Sequence, residues 1–356
     1  MTLESLGWSG SFARDPLVLA NPSLSPMRVV RQNRHRYVVL GEAGQRVAEP
    51  TGNLLSHSDG AASLPVVGDW VLCKVEDTDR ASIHHRLERS GSFSRKVAGD
   101  TTREQVVAAN IDTILLVTGL DGDYNLRRIE RYLTLAWNSG ATPVVVLSKA
   151  DLVPDPQERI DEVRTVAYGV DVVAVSTVGN PGMAAVSEYL MPGRTIALLG
   201  SSGVGKSSMV NAILGRDVLE TTPVREDDQR GRHTTTFREL FVAPSGALVI
   251  DTPGMREVQL WADESDVQST FPDIEELASA CHFADCMHET EPGCAVQEAL
   301  ASGELDEGRF NSWLKLMREA AWLDRRRGES KRDQRQRERS QSKLYKQILN
   351  EKRRRE

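Results

Sequence analysis

Four short stretches of the chain combine residue types and spacings that can do chemistry. Gly200-Ser201-Ser202-Gly203-Val204-Gly205-Lys206-Ser207 fits the pattern G-x-x-x-x-G-K-[ST]. Glycines at these spacings permit a turn whose backbone N–H groups converge on phosphate oxygens. In that reading Lys206 neutralises the β- and γ-phosphates and Ser207 offers a hydroxyl to Mg²⁺; Ser208 opens the following helix and belongs to the same site. Asp251-Thr252-Pro253-Gly254 has the form D-x-x-G. There Asp251 would hold Mg²⁺ through bound water, and the Gly254 N–H would meet the γ-phosphate. Ser148-Lys149-Ala150-Asp151 is close to the guanine-reading N-K-x-D. A carboxylate at Asp151 accepts from both guanine N1–H and N2–H₂, whereas adenine offers an acceptor where guanine has N1–H, and that mismatch rejects it. Lys149 would lie along the base. Ser148 stands where Asn is usual, so one amide contact is missing or replaced. Val175-Ser176-Thr177 would supply backbone donors to the base, which adds Ser176 and Thr177 to the expected nucleotide contacts.

The fourth stretch is Cys281-x₄-Cys286-x-His288-x₅-Cys294, which holds three of the four cysteines. Three thiolates and an imidazole make a tetrahedral zinc set, and with no open position such a site is structural. His282 is an alternative fourth ligand. Cys73, alone on an apolar strand, reads as packing.

Between the phosphate loop and Asp251 lies Arg230-Gly231-Arg232-His233-Thr234-Thr235-Thr236, a stretch with little apolar content. One threonine hydroxyl there would complete Mg²⁺ coordination: Thr235, with Thr234 as the alternative. The residue after Gly254 is Met255, where a water-orienting Gln is common, and Met cannot orient water. His233 is then the candidate catalytic group.

These motifs need elements to position them. Thr113–Thr118, Pro143–Leu147, Val170–Val175, Thr195–Leu199, Phe237–Ala243 and Ala247–Ile250 read as strands. Asn125–Asn138, Gln157–Ala167, Gly182–Leu190 and Ser208–Leu214 read as helices between them. Apolar strands alternating with helices predict a mostly parallel sheet covered on both faces, with ligands at the carboxyl ends of its strands. The order of the motifs is unusual: Asp151 and Ser176 precede Gly200, so the expected nucleotide domain is cyclically rotated. It ends just after Asp251–Gly254, directly ahead of the Cys/His cluster.

Earlier, Met27–Val30, Tyr37–Leu40, Val66–Val75 and Ile83–Leu87 read as short strands divided by turn residues, a small antiparallel barrel. Residues 1–26, punctuated by Pro16, Pro22 and Pro26, read as loop. Phe310, Trp313, Leu314, Met317 and Ala321 fall at helical spacing, a packing face. The chain has 356 residues and a net charge of −7. From Arg325 to Glu356 it carries 14 Lys/Arg against 5 Asp/Glu, leaving 30 against 46 elsewhere. A basic tail on an acidic body implies a local polyanion contact. No run of 18 or more apolar residues and no signal-type N-terminus occurs, so the expectation is a cytoplasmic protein without a membrane partner.

With these residues on the page, the chain resembles the ribosome small-subunit-dependent GTPase A family. The resemblance covers nearly the whole length. It rests on the rotated motif order, on Gly200–Ser207, Gly231–Thr236, Asp251–Gly254 and the Cys281/Cys286/His288/Cys294 spacing, and on Arg103–Asp112 as the entry to the GTPase segment. It implies a multidomain α/β protein: an N-terminal extension (1–26), an OB-type β-barrel (27–100), a circularly permuted P-loop GTPase with a mostly parallel sheet (101–270), a helical zinc-binding domain (271–324) and a basic tail (325–356). It also implies weak GTP hydrolysis stimulated by the small ribosomal subunit during late 30S maturation. Catalysis would fall to His233, the cofactors would be one structural Zn²⁺ and Mg²⁺ with GTP, and the monomer would contact 16S rRNA. The competing readings are a nucleotide-sensing RNA-binding regulator with little turnover and an ATP-using P-loop enzyme, and Asp151 argues against the latter.

Overall fold

Five short strands fold first in chain order: β1 (Ser25–Asn33), β2 (Arg36–Gly41), β3 (Gly44–Pro50), β4 (Trp70–Val75) and β5 (Arg80–Arg86). They pair in the order β1-β2-β3-β5-β4, and β4 returns to β1, so the sheet closes on itself as an OB-type barrel. Alternation puts Val29, Val39, Val71, Cys73 and Ile83 inside. The computed structural model describes residues 1–33, 36–56, 63–96, 104–178, 182–219, 238–251 and 262–325.

A hairpin of β6 (Ser92–Lys96) and β7 (Glu104–Ala109) follows. The main sheet then takes β8 (Thr113–Gly119), β9 (Thr142–Ser148), β10 (Asp171–Ala174), β11 (Thr195–Leu199), β12 (Arg238–Val242) and β13 (Leu248–Asp251). Its order is β10-β9-β8-β11-β13-β12, parallel except for β12. The chain runs outward through β8, β9 and β10, then returns to place β11 on the other side of β8. That reversal opens a crevice at the carboxyl ends of β8 and β11. The strands are continuously apolar because both faces are covered. Ile114, Leu116, Val145, Leu147, Ala197 and Leu199 belong to one core. Leu115, Val117, Val144, Val146, Ile196 and Leu198 belong to the other. The helix Lys206–Leu214 covers the second face, and Leu126–Asn138 and Gln157–Arg164 cover the first.

Past β13, the helices Glu264–Thr270, Pro272–Ser279 and Ala295–Ser302 and a helical run over 307–325 form a C-terminal module. Its buried Phe271, Ile274, Val296, Phe310 and Trp313 join the same core as β8 and Leu126–Asn138, which bears out the packing face read from Phe310 and Trp313.

Several expectations change. Residues 1–26 are not a loop: Gly10–Ala13 and Pro16–Ala20 are helical, and Asp15 accepts from the Leu17 N–H at 2.8 Å as an N-cap with Pro16 at N1. Leu6 is fully buried, and Trp8 and Phe12 pack with Trp70 of the barrel. Val66–Val67 belong to a turn, and the strand starts at Trp70. Strand β3 was not anticipated, since only Ala48 of its seven residues is buried and Val47 is exposed. The helix expected over Gly182–Leu190 shrinks to Met183–Ser187.

The barrel and the main sheet are one hydrogen-bonded surface. β12 pairs antiparallel with β1, Arg31 opposite Glu239 and Gln32 opposite Arg238, and an Arg31–Glu239 ion pair ties the register. Beside it the fully buried Arg28 donates to the carbonyls of Leu6, Gly68 (3.2 Å) and Asn110 (3.1 Å). Burial pushes the Arg28 guanidinium down to about 10, against the pull of Asp112 and Asp69. Among the described residues no helix is long and apolar enough to cross a membrane.

Candidate nucleotide site and metal centre

The loop Gly200–Gly205 leaves the carboxyl end of the central strand β11, at the crevice. Gly200 is required there because a Cβ would lie 2.2 Å from the Val117 carbonyl oxygen on β8. Gly203 (φ +81°) and Gly205 (φ +93°) take the left-handed conformation that turns the chain back into the helix Lys206–Leu214. Gly205 supplies no side-chain cap, so the first-turn N–H groups remain for an anion. Lys206 Nζ folds over the loop and donates to the carbonyls of Gly200 (2.7 Å) and Ser201. Ser207 and Ser208 are half-buried in the first helical turn, and Ser202 is exposed at the crown.

Ser148 sits at the end of β9, beside β8, and is buried. Its hydroxyl lies 2.6 Å from the Val204 carbonyl and 3.2 Å from that of Thr118. The Ser148–Asp151 turn is thus fastened to the Gly200–Gly205 loop in space, although it precedes it in the chain. Lys149 adopts a left-handed φ of +59° and its ammonium bonds the Asp121 carboxylate. Burial raises the Asp121 carboxyl, but the Lys149 ammonium and the Asp123 N–H outweigh it and hold it below the usual range. Asp151 is exposed; its carboxylate accepts from the buried Ser176 hydroxyl, while the Ala150 N–H donates to Val175 at 3.1 Å. Thr177 follows, half-buried. Asp251 closes β13, next to β11.

Thus Ser148, Lys149, Asp151, Ser176, Thr177, the residues Gly200 to Ser208 and Asp251 gather at one end of one sheet. His233, Thr234, Thr235 and Gly254 lie outside the described residues. Sequence reasoning missed Asp121, which holds Lys149, and the pair Arg128 and Tyr132. Arg128 donates to Ser201 Oγ at 2.8 Å, and the Tyr132 hydroxyl is 3.4 Å from the same oxygen. Their i, i+4 spacing on Leu126–Asn138 was the one available signal, since it puts both on one side of the helix.

The metal-ligating set also assembles. The ligand atoms of Cys281, Cys286, His288 and Cys294 all lie within 4.8 Å of one another. Cys281 Sγ is 3.9 Å from Cys294 Sγ, and His288 Nδ1 is 3.6 and 3.5 Å from those two sulfurs. A tetrahedron with metal–sulfur bonds of about 2.3 Å has a sulfur–sulfur edge of about 3.8 Å, so the cluster fits one ion. Burial pushes the His288 imidazole below its usual value, toward the neutral form that binds metals. Gln297 donates to the His288 carbonyl at 2.6 Å and steadies its left-handed backbone (φ +57°). His282 is not in this group; its ring packs edge-on to Phe283.

A sheet with the phosphate loop on its central strand and the base-reading turn on a strand that comes earlier in the chain defines a circularly permuted P-loop GTPase. Residues 86–261 match the RsgA GTPase family. The chain is 48% identical over 336 residues, 92% of each protein, to "Small ribosomal subunit biogenesis GTPase RsgA" of Opitutus terrae. The crystal structure of YjeQ from Thermotoga maritima superposes with a TM-score of 0.64 at 25% identity, covering 84% of this chain and 99% of that one. YloQ, a circularly permuted GTPase, superposes with 0.60 at 26% identity, covering 84% and 95%. The chain belongs to the RsgA GTPase family and is a GTP hydrolase.

Proposed function

We propose that the protein binds the small ribosomal subunit during its late maturation, holds that bound state with GTP, and leaves on hydrolysis. The single observation that carries the nucleotide part is the hydroxyl of Ser148 on the carbonyl of Val204, which holds the base-reading turn and the phosphate loop in one unit. In this reading the N–H groups of Gly200–Ser208 and the Lys206 ammonium take the phosphates, and Asp151, Lys149, Ser176 and Thr177 take guanine. Ser207, Asp251 and Thr235 would hold Mg²⁺, which supplies neutralising charge between the phosphates. Gly254 meets the γ-phosphate, and His233 orients the attacking water. The Cys281/Cys286/His288/Cys294 set takes Zn²⁺, because three thiolates and an imidazole in a closed tetrahedron suit that ion.

In the division into 1–26, 27–100, 101–270, 271–324 and 325–356, the last four parts each have a task. The barrel, metal module and basic tail would contact 16S rRNA, and the middle segment times the contact. The protein acts as a cytoplasmic monomer without a membrane partner. Names of relatives support the ribosomal partner: the Opitutus terrae protein is called a small ribosomal subunit biogenesis GTPase.

The deciding experiment is GTP and ATP turnover with and without purified small subunits. Stimulated GTP hydrolysis supports the proposal, no turnover favours a nucleotide-sensing regulator, and ATP preference refutes the guanine site. His233→Ala is expected to lower GTP turnover with nearly unchanged nucleotide affinity, and unaltered turnover would remove His233 from the chemistry.

A further inference from the structure

The helix Leu126–Asn138 stands between the phosphate loop and the C-terminal module and presents a different side to each. At about 100° per residue, Arg128 and Tyr132 share one side, and Arg127, Glu130, Arg131 and Thr134 share another roughly 120° around. The first side meets Ser201 of the phosphate loop. Arg128 is itself bonded by Asp123, from the same lead-in loop whose Asp121 holds Lys149. One segment therefore touches both the phosphate and the base halves of the nucleotide site.

The second side is clamped by the C-terminal module. Glu130 is fully buried and accepts from Arg127 at 2.5 Å and from Arg309 at 2.9 Å. Arg309, only 4% exposed, forks onto Asp273 with two bonds of 2.6 Å and lies 4.6 Å from the Phe271 ring centroid. Thr134 meets Thr270 at 2.9 Å. A planar fork held between the buried Glu130 and the partly exposed Asp273 accepts one geometry and penalises sliding, because on the Glu130 side a displaced charge has no water to replace its partner. The helix therefore follows the module as a rigid piece.

We propose that Arg309 is a positioning residue for the nucleotide site: through Glu130 it sets the helix, and the helix sets Arg128 against Ser201, so that the seating of the C-terminal module governs nucleotide affinity. Whatever seats or lifts the module, an RNA surface above all, then changes how tightly the phosphate loop is held. This inference rests on the nucleotide-site reading above.

The test uses the full chain with Arg309→Gln, Arg128→Gln and the double variant. It measures dissociation constants for a fluorescent GDP and a non-hydrolysable GTP analogue, with thermal midpoints recorded alongside. Each single variant is expected to bind about 3- to 10-fold more weakly. The double variant should be no weaker than the weaker single, because both break one path. Arg309→Lys, which keeps the charge and loses the fork, should fall between. An Arg309→Gln protein with a lowered midpoint and wild-type affinity has a structural role only and overturns the proposal. So does a double variant whose loss is the product of the singles. Should Arg309→Gln fail to fold, Arg131→Ala is measured instead. It loses the partly exposed pair with Glu319, two bonds of 2.7 and 3.1 Å, on the same side of the helix. Weakening of twofold or more supports the coupling, and unchanged binding overturns it. Wild-type protein that binds no guanine nucleotide overturns the site reading and this inference together.

Discussion

Ser148→Ala is a sharp test of how the nucleotide site is held. The serine is 3% exposed and its one proton serves the Val204 carbonyl at 2.6 Å, with Thr118 at 3.2 Å as the alternative acceptor. Alanine fills nearly the same space, so packing changes little. What is lost is one net hydrogen bond, about 1 kcal/mol, and the carbonyl of the buried Val204 is left without this partner, which raises the cost to about 2 kcal/mol. Because Val204 lies inside the phosphate loop, much of that cost falls on the ordered, ligand-binding form of the loop. A loss of 1 to 2 kcal/mol corresponds to a roughly 5- to 30-fold weaker dissociation constant. Titration with a fluorescent GDP reads it directly. The preference for guanine over adenine should be unchanged, since Asp151 is untouched. Affinity within twofold of wild type would refute the idea that this hydroxyl joins the two halves of the site.

Gly200→Ala places a Cβ 2.2 Å from the Val117 carbonyl, so the loop must move off β8; nucleotide binding should fall by roughly 100-fold or more, checked by the same titration. Stripping the proposed Zn²⁺ with a chelator, or replacing the buried Cys294 by Ser, should lower the thermal midpoint and expose thiols to a colorimetric reagent, with re-addition of Zn²⁺ restoring the chelated protein but not the variant. Arg28→Met strips donors from three carbonyls under the barrel, a loss of about 3 kcal/mol, and should lower the midpoint by about 4 °C in a melt followed by circular dichroism.

The geometry of the candidate sites was legible where it is local. The phosphate loop and the Cys/His cluster are each written within 14 consecutive residues or fewer, and short-range spacing carries their geometry. The rotated order was legible too, because each motif ends its own apolar strand. What escaped depends on partners far apart in sequence. Arg128 on Ser201, Glu130 on Arg309 and Arg31 on Glu239 each span 73 residues or more, and no periodicity announces which charge meets which. The N-terminal segment was misread for a different reason. Its prolines suggested loop, yet Asp15-Pro16 is itself a helix-start signature, and Leu6 and Phe12 are buried in the core they share with Trp70 of the barrel, whose ring meets that of Phe12. Strand β3 carried too little apolar alternation to register, since pairing with β2 and β5 holds it in place.

The pairing of β1 with β12 also sets a timetable for synthesis. Arg31 waits for Glu239, which is made 208 residues later. The last barrel strand ends at Arg86, so at about 5–20 residues per second the rest of the barrel is complete for roughly 8 to 30 s before that partner emerges. Over this interval the backbone N–H and C=O groups at Arg31 and Gln32 present an open sheet edge. The charged and polar side chains at these positions, Arg31 and Gln32, discourage a stray strand from docking there until the protein's own β12 arrives.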